Sequence, residues 1–387
     1  MKKYYIYLLL LLCSCSENNR IFEAENIIHI DVEKSDKEYA RYASKLVKSV
    51  SYIPLQTTND CLIGQITKLI YAKDLIYIYD IQSNKLYQFD KNGQFLRSIG
   101  AIGQGPGEYI RIQSFDVNQI NGNISIYCQI KQSILEYTHD GNLVKVEKIG
   151  LVIGDFIYYE NRYLFYCSWL PNNKVFHETY PLQYRLVGMS ENIVTDKFLE
   201  YKYNDYLSNT IYAASYNVFY QTNENVMLYE QATNMVYSLN GNDAIATYAV
   251  DFIKYNTPFD VFSTEATKGK IDDLKNAKIC RLSHFFETDS FIFIRFIYFE
   301  NIYFNSIYFK ESKKIINLGP IWINDIDNIS MPNIEGTLSN NRLIGSFEAH
   351  SFYQMITHNT REVSQNLIDL SKSGDESDNP IICIIQF

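Results

Sequence analysis

From Leu75 to Phe115 the chain reads as three short strands, a hairpin turn and a glycine-rich loop that leads into the next unit. Ile76, Ile78 and Leu86 alternate with polar or aromatic neighbours at the two-residue period of a pleated strand. Asn92-Gly93 then supplies a turn dipeptide between two such runs, which predicts an antiparallel hairpin.

The turn recurs. Asn92-Gly93 and Asp140-Gly141 lie 48 residues apart, and Asn240-Gly241 follows 100 residues later, with the turn-like Ser190-Glu191-Asn192 midway. Lys310-Glu311-Ser312 comes about 70 residues further on, and removing an insertion at roughly 257–276 restores the spacing. A period of about fifty residues with four strands per unit is that of β-propeller blades. The units fall at 63–100, 112–150, 152–200, 215–251, 279–318 and 320–387, which predicts an all-β, six-bladed β-propeller of four-stranded blades. The last unit is one strand short, with 341–347 and 381–387 as its middle strands. Ser51-Tyr-Ile-Pro-Leu-Gln56 is the natural outer strand, so N-terminal and C-terminal strands would close the ring in one blade. Pro54 suits an edge strand, where no ladder hydrogen bond is lost.

Three segments break the strand period. Ser35-Asp-Lys-Glu38 resembles a capping box, followed by Tyr39, Tyr42, Ala43, Leu46 and Val47 on one helical face. A short helix is expected at 264–276. Phe352, Met355, Ile356, Val363, Leu367 and Leu370 predict a helix inserted in the last blade.

The first residues read as an address. Lys2-Lys3 is a basic start, and Ile6–Leu12 is an apolar run too short to span a bilayer. Leu12-Cys13-Ser14-Cys15 resembles a bacterial lipobox, which makes 1–14 a signal peptide and Cys15 the acylated residue. An ordinary secretory signal is the weaker alternative, because small Ser14 precedes Cys15 and a polar tether follows it. Residues 15–49 then form a tether with a short helix, and 50–387 the propeller. A lipid anchor would hold the chain to a membrane leaflet of the bacterial envelope, on its periplasmic or cell-surface side, without a spanning helix.

Formal charge is −9 for the full chain and −11 once Lys2 and Lys3 leave with the signal. An acidic body excludes a general nucleic-acid binder, which needs a basic surface. Tyrosine is abundant (33 residues), as suits half-buried strand surfaces. Five cysteines remain after Cys13 and Cys15, an odd and widely spaced set that does not read as a disulfide framework. Cys128, Cys167 and Cys383 sit in apolar runs and read as small buried hydrophobes.

Leu75–Asp116 resembles an NHL-type repeat unit. The chain as a whole resembles the six-bladed β-propeller lipoproteins of Bacteroidetes. The matching features are the lipobox at Cys15, Tyr52-Ile-Pro-Leu-Gln56, Gly103-Gln-Gly-Pro-Gly-Glu-Tyr109, Phe285-Phe-Glu-Thr-Asp289 and Asp378-Asn-Pro-Ile-Ile382. The resemblance implies the fold and says little of activity.

Candidate chemistry is sparse. The loop at Gly103–Gly107 lacks the Lys-Ser/Thr of a phosphate loop and precedes strands, so it reads as a structural blade connection. Asp325 and Asp327 would share one side of an inner strand facing the channel, a weak candidate calcium or substrate site. Glu287 and Asp289 form another acidic pair, at an expected hairpin turn. Of six histidines none has metal-ligand spacing, but His284 and His350 could approach each other between the fifth and sixth blades. Trp169 and Trp322 could stack on sugars, although packing is the commoner role of a strand tryptophan. No nucleophile elbow, Cys/His pair or zinc spacing appears, and no cofactor is expected.

The reading is therefore a non-catalytic binding or scaffolding module that recognises a glycan, peptide or envelope protein, with no nucleic-acid partner. The alternative is a metal- or carboxylate-dependent hydrolase or lyase with its site in the central channel. A purely structural subunit would instead expose a broad apolar face.

Overall fold

The computed structural model describes residues 27–34, 41–172, 175, 182–202, 217–222, 225–241, 243–256, 269, 279–298 and 302–387. These form six antiparallel blades in a ring, a six-bladed β-propeller. The inner strands are Ile66–Ala72, Ile112–Val117, Asp155–Tyr159, Phe219–Gln221, Arg281–Glu287 and Asn333–Leu338. Three further strands stack outward from each, in chain order in blades one to five, and blade four carries a fifth strand at its outer edge.

The recurring turns all join the third strand of a blade to the fourth. Asn92-Gly93 links Lys85–Asp90 to Phe95–Ile99, and Asp140-Gly141 links Ser133–Tyr137 to Leu143–Lys148. In blade three, Glu191 and Asn192 take up the work of glycine, with φ of 50° and 64°. Gly93 is constrained twice: φ is 83°, and a Cβ there would lie 2.3 Å from the carbonyl oxygen of Pro54. That contact is where blade six meets blade one, and Gln56 N–H donates to Gly93 O across it at 2.8 Å.

The ring closes as the strand count requires. Blade six is ordered Asn333–Leu338, Arg342–Phe347, Ile381–Gln386 and, outermost, Ser49–Pro54. Every residue of Ser49–Pro54 pairs with Ile381–Gln386, and Pro54 sits at the end of that edge strand. Hydrophobic packing runs between blades rather than within one centre. Leu69, Ile76, Ile78 and Phe89 of blade one meet Ile344 and Ile382 of blade six, and an equivalent layer fills every other junction. Strands pressed on both faces are buried along their whole length, as in Ile124–Cys128, where all five residues are buried and the one polar side chain, Ser125, hydrogen-bonds Tyr163 OH.

The structure departs from expectation at the edges. Ile28–Asp31 adds a fifth strand to blade four, parallel to Asp243–Asp251, an addition with no turn signal to announce it. The chain then makes a single 3-10 turn at Ala43–Lys45 instead of a helix through Tyr42–Val47. Ala43 and Val47 are buried against the junction of blades five and six, so their apolar spacing serves docking. The proposed capping box at 35–38, the helix at 264–276 and the signal and lipobox at 1–15 lie outside the described residues, Gly269 excepted. The insertion in blade six is two helices, α1 (Ala349–Thr357) and α2 (Gln365–Ser373). Asn359 breaks the run between them, donating to Asn328 O and accepting from Arg361 N–H, and Ser364 starts α2. No helix among the described residues is long and apolar enough to cross a membrane. All five cysteines from Cys61 to Cys383 are buried, and Cys61, Cys128, Cys167 and Cys383 form no disulfide.

Ring closure makes the two ends unequal. Deleting Ile381–Phe387 removes the strand between Arg342–Phe347 and Ser49–Pro54, with Ile381, Ile382, Cys383 and Ile385 fully buried. Loss of four such side chains would cost more than about 6 kcal/mol, so thermal melting should collapse to an unfolded baseline. Deleting 16–20 should leave the melting temperature within about 2 °C; equal melting of the two truncations would contradict closure.

Candidate functional site

The central channel is closed at one level by polar groups that the inner strands carry. Lys68, on the inner strand of blade one, places its Nζ 2.8 Å from Asp155 Oδ1 of blade three and donates to Ser114 Oγ of blade two at 3.0 Å. Ser114 Oγ donates in turn to the same Asp155 oxygen at 2.5 Å. The other oxygen of Asp155 accepts the N–H of Val218, in blade four, at 3.0 Å. Asp155 is 0% exposed and Lys68 7%. The ammonium also lies 5.8 Å from the Phe115 ring centroid, within range of its π face. Asn217 Nδ2 donates to Thr67 O at 3.0 Å, joining blade four to blade one across the ring. The channel is therefore plugged at this depth.

On one side of the plug lies a funnel of about 1200 Å³ bounded by all six inner strands and the turns that follow them. Its walls carry the half-buried rings of Tyr71, Tyr158 and Phe219 and the amides of Asn217, Gln221 and Asn225. Most of its charges are engaged locally. Glu287 accepts from Tyr248 OH at 2.8 Å and Tyr220 OH at 3.3 Å, and pairs with Lys310 at 2.7 Å. At the rim, Lys73 donates to Ile120 O and Arg342 to Ser339 O.

Two carboxyls deep in the funnel differ. Asp116 is 8% exposed and accepts from Tyr158 N–H at 2.8 Å. Burial raises its pKa against the pull of Lys68. Glu335 accepts from Ser346 Oγ at 3.0 Å. Burial pushes it up to about 7, opposed by that hydrogen bond and by the Arg295 guanidinium. The Tyr229 hydroxyl is fully buried and has no hydrogen-bond partner among the described residues. Burial raises its pKa, and so do the charges of Asp155 and Glu335; its ring belongs to the apolar layer between blades four and five.

The residues singled out by sequence lie elsewhere, with one exception. Asp325 and Asp327 are not on an inner strand. They occupy the turn of a small hairpin, Ile323–Asn324 with Ile329–Ser330, between blades five and six. Asp325 accepts from Ser44 N–H at 2.8 Å and Ser44 Oγ at 2.5 Å; Asp327 accepts from Tyr52 OH at 2.8 Å and Asn324 Nδ2 at 3.0 Å. Both tie the N-terminal segment to blade six. His284 is on the inner strand of blade five, beside Ser283 Oγ at 2.9 Å. Burial and Arg295 push its imidazole down to about 3, so it is neutral at neutral pH. His350 lies on α1 and pairs with Glu376 at 2.8 Å at the surface; no hydrogen bond joins it to His284. Trp169 and Trp322 are buried, Trp169 against Tyr201 and Arg185 and Trp322 against Phe387. The exception is Glu287 with Asp289, which line the funnel rather than merely ending a hairpin. The glycine loop is a blade connection: Gly105 N–H donates to Glu108 Oε2, and Lys131 Nζ donates to the carbonyls of Gln104, Gly105 and Glu108.

Sequence reasoning missed Lys68, Ser114, Asp116, Asp155 and Glu335. Asp155 heads an otherwise apolar inner strand, whereas Lys68, Ser114, Asp116 and Glu335 lie in strands that mix polar and apolar positions. Among the described residues no three His, Cys, Asp or Glu side chains converge as a metal-ligand set.

With this architecture, the chain belongs to the DUF4934 family, a domain of unknown function, which matches residues 26–386. No curated protein matches it. Among solved structures it is similar to a Bacteroides fragilis protein proposed to be exported, at 18% identity and a TM-score of 0.72, covering 94% of this chain and 99% of that one. It is also similar to a DUF4221 family member from Bacteroides vulgatus, at 9% identity and a TM-score of 0.50, covering 88% and 97% respectively. At these identities the likeness is one of fold.

The raised pKa of Glu335 gives stability a pH dependence of known sign. The folded state holds this proton more tightly than the unfolded chain, so the contribution is full below the ordinary carboxyl pKa of 4.5 and lost as pH rises through about 7. Between pH 5 and pH 8 it should amount to roughly 2 kcal/mol, less than the full shift implies because the group retains some contact with water. Urea unfolding of Glu335→Gln should show a flatter pH profile and greater stability at pH 8. Parallel profiles for the two proteins would refute the assignment.

Proposed function

We propose that this chain is a non-catalytic binding module, held in the bacterial envelope by a lipid on Cys15, whose ligand enters the blind funnel. The observation that carries the reading is the funnel itself. It is a cavity of about 1200 Å³ with aromatic faces and side-chain amides on its walls, and it is shut by a buried ion pair rather than opened as a pore. Aromatic faces offer stacking surface, and amides donate and accept in one plane, the combination that holds an extended polar molecule such as a glycan or peptide segment. The lipobox residues support the envelope setting, as does the likeness to a protein proposed to be exported.

A carboxylate-dependent hydrolase or lyase is the second reading, and Glu335 favours it: a carboxyl near pKa 7 is suited to general acid work. One experiment separates the two. The soluble form beginning at Ser16 is incubated with a panel of envelope oligosaccharides and short peptides, and binding and products are followed together by native mass spectrometry. The binding reading expects a ligand recovered unchanged, with affinity reduced about 10-fold to 100-fold in Tyr158→Ala and unaffected by substitution of His350. Ligand recovered cleaved, with cleavage abolished in Glu335→Gln, would replace it with the enzyme.

A further inference from the structure

We propose that the face opposite the funnel lies on the lipid surface to which the chain is anchored, so that the funnel mouth points away from the membrane; the inference rests on Cys15 carrying the anchor. Inner strands run from this face toward the funnel. Asn333 begins the inner strand of blade six, and Leu338 to Arg342 at its far end line the funnel. In blade five, Phe291 starts the second strand beside the funnel residues Thr288 and Asp289. The end of that strand at Tyr298, and Ile302 paired with it, therefore lie on the opposite face.

That face carries an apolar patch at blades five and six. Ile321 is 65% exposed, and Tyr42, Ile326, Ile302 and Tyr303 are exposed with it. Ile323 N–H donates to Arg41 O at 2.7 Å and Ile323 bridges Tyr42, so Tyr42, Ile321 and Ile326 share one short stretch of surface. Tyr303 is joined to it through Arg295. The guanidinium stacks on that ring at 4.7 Å and donates at 3.3 Å to Asn333 Oδ1, where the same connection enters blade six. The connection is pinned and cannot fold its isoleucines away. Met331 N–H donates to Trp322 O at 2.9 Å, and Trp322 is buried against Phe387. Apolar side chains held out together on a fixed loop mark a contact surface.

Three observations make the occupant a lipid surface. Isoleucine with tyrosine is the composition that sits at the boundary of headgroups and acyl chains. Arg41 and Lys45 are exposed beside Tyr42, while the carboxylate of the patch, Asp325, is turned onto Ser44 N–H and Oγ. An acidic body is repelled by anionic lipid except where such cations lead. The third observation is the length of the tether. Cys15 lies twelve residues before Ile27, a reach of at most about 40 Å. From there Ile28–Asp31 runs beside Asp243–Asp251 to its end, and by Tyr42 to Val47 the chain lies against blades five and six. So short a tether keeps the anchoring bilayer close to the segment that carries Tyr42.

The test places a nitrobenzoxadiazole probe at Ile321→Cys or at Ile120→Cys, the latter 87% exposed on the turn beyond the funnel residue Gln119. In the chain from Ser16 the native cysteines are buried, so the introduced thiol alone is labelled. An N-terminal hexahistidine tag holds each chain, where the natural lipid would, to vesicles of phosphatidylcholine, phosphatidylglycerol and a nickel-chelating lipid. Nitroxide-labelled lipid should quench the probe at 321 about 2-fold or more, as for a residue roughly 5–10 Å into the headgroup boundary, and leave the probe at 120 unchanged. Combining Arg41→Glu with Lys45→Glu should weaken that quenching. Equal quenching at both positions, quenching at 120 alone or none at either would overturn the inference. So would a blue-shifted probe at 321 without vesicles that returns to the red on dilution, which would make a second copy the occupant. The intact mass of the full chain extracted from membranes tests the anchor separately. An unacylated Cys15 would overturn the anchor, and with it the setting, whatever the probes report.

Discussion

A single buried carboxylate organises the centre of this ring. Asp155 meets Lys68, Ser114 and the Val218 amide, so one side chain fixes the relative height of four neighbouring blades. Blade-to-blade packing is apolar and non-directional and would tolerate small slides. A strand register slip of one residue turns every side chain to the other face, and a slide of a whole blade would strand an ammonium or a carboxylate in a dry interior. The pair is therefore best understood as a source of register rather than net stability. Desolvation of both charges offsets most of their attraction, but an orphaned partner costs about 3–5 kcal/mol.

The same plug gives the channel its shape. Because Asn217 and Lys68 close it, the six inner strands enclose a cup whose wall is rich in rings and amides. Its charges are mostly engaged locally, as Glu287 is with Lys310. The rings and amides of the wall set the chemistry that could be recognised there. A second buried pair, Arg185 with Glu230, ties blades three and four further out, where Glu230 also accepts from Tyr166 OH and Thr233 Oγ1.

Much of the architecture was legible in the chain because it depends on local turn chemistry. Asn92-Gly93, Asp140-Gly141 and Asn240-Gly241 need positive φ at the glycine, and that need shows in sequence. The missing strand of blade six pointed to Ser51–Gln56 by simple count, and the strand observed there is Ser49–Pro54. The site was not legible, for an equally physical reason. Lys68, Asp116 and Glu335 each look like a solvent-facing position in an alternating strand, since period alone does not say that the polar side faces a channel. Asp325 and Asp327 looked like an inner-strand pair because a hairpin with two-residue strands has the same local composition. The parallel addition of Ile28–Asp31 to blade four carries no turn signal, so nothing local could reveal it.

The most direct measurement is a double-mutant cycle on Lys68 and Asp155, read by urea unfolding at pH 7. Lys68→Met and Asp155→Leu should each destabilise by about 3–5 kcal/mol, and the double variant should lose far less than the sum, because no unpaired charge remains. Two small effects, each below about 1 kcal/mol and simply additive, would contradict the claim that this pair sets the register of the ring.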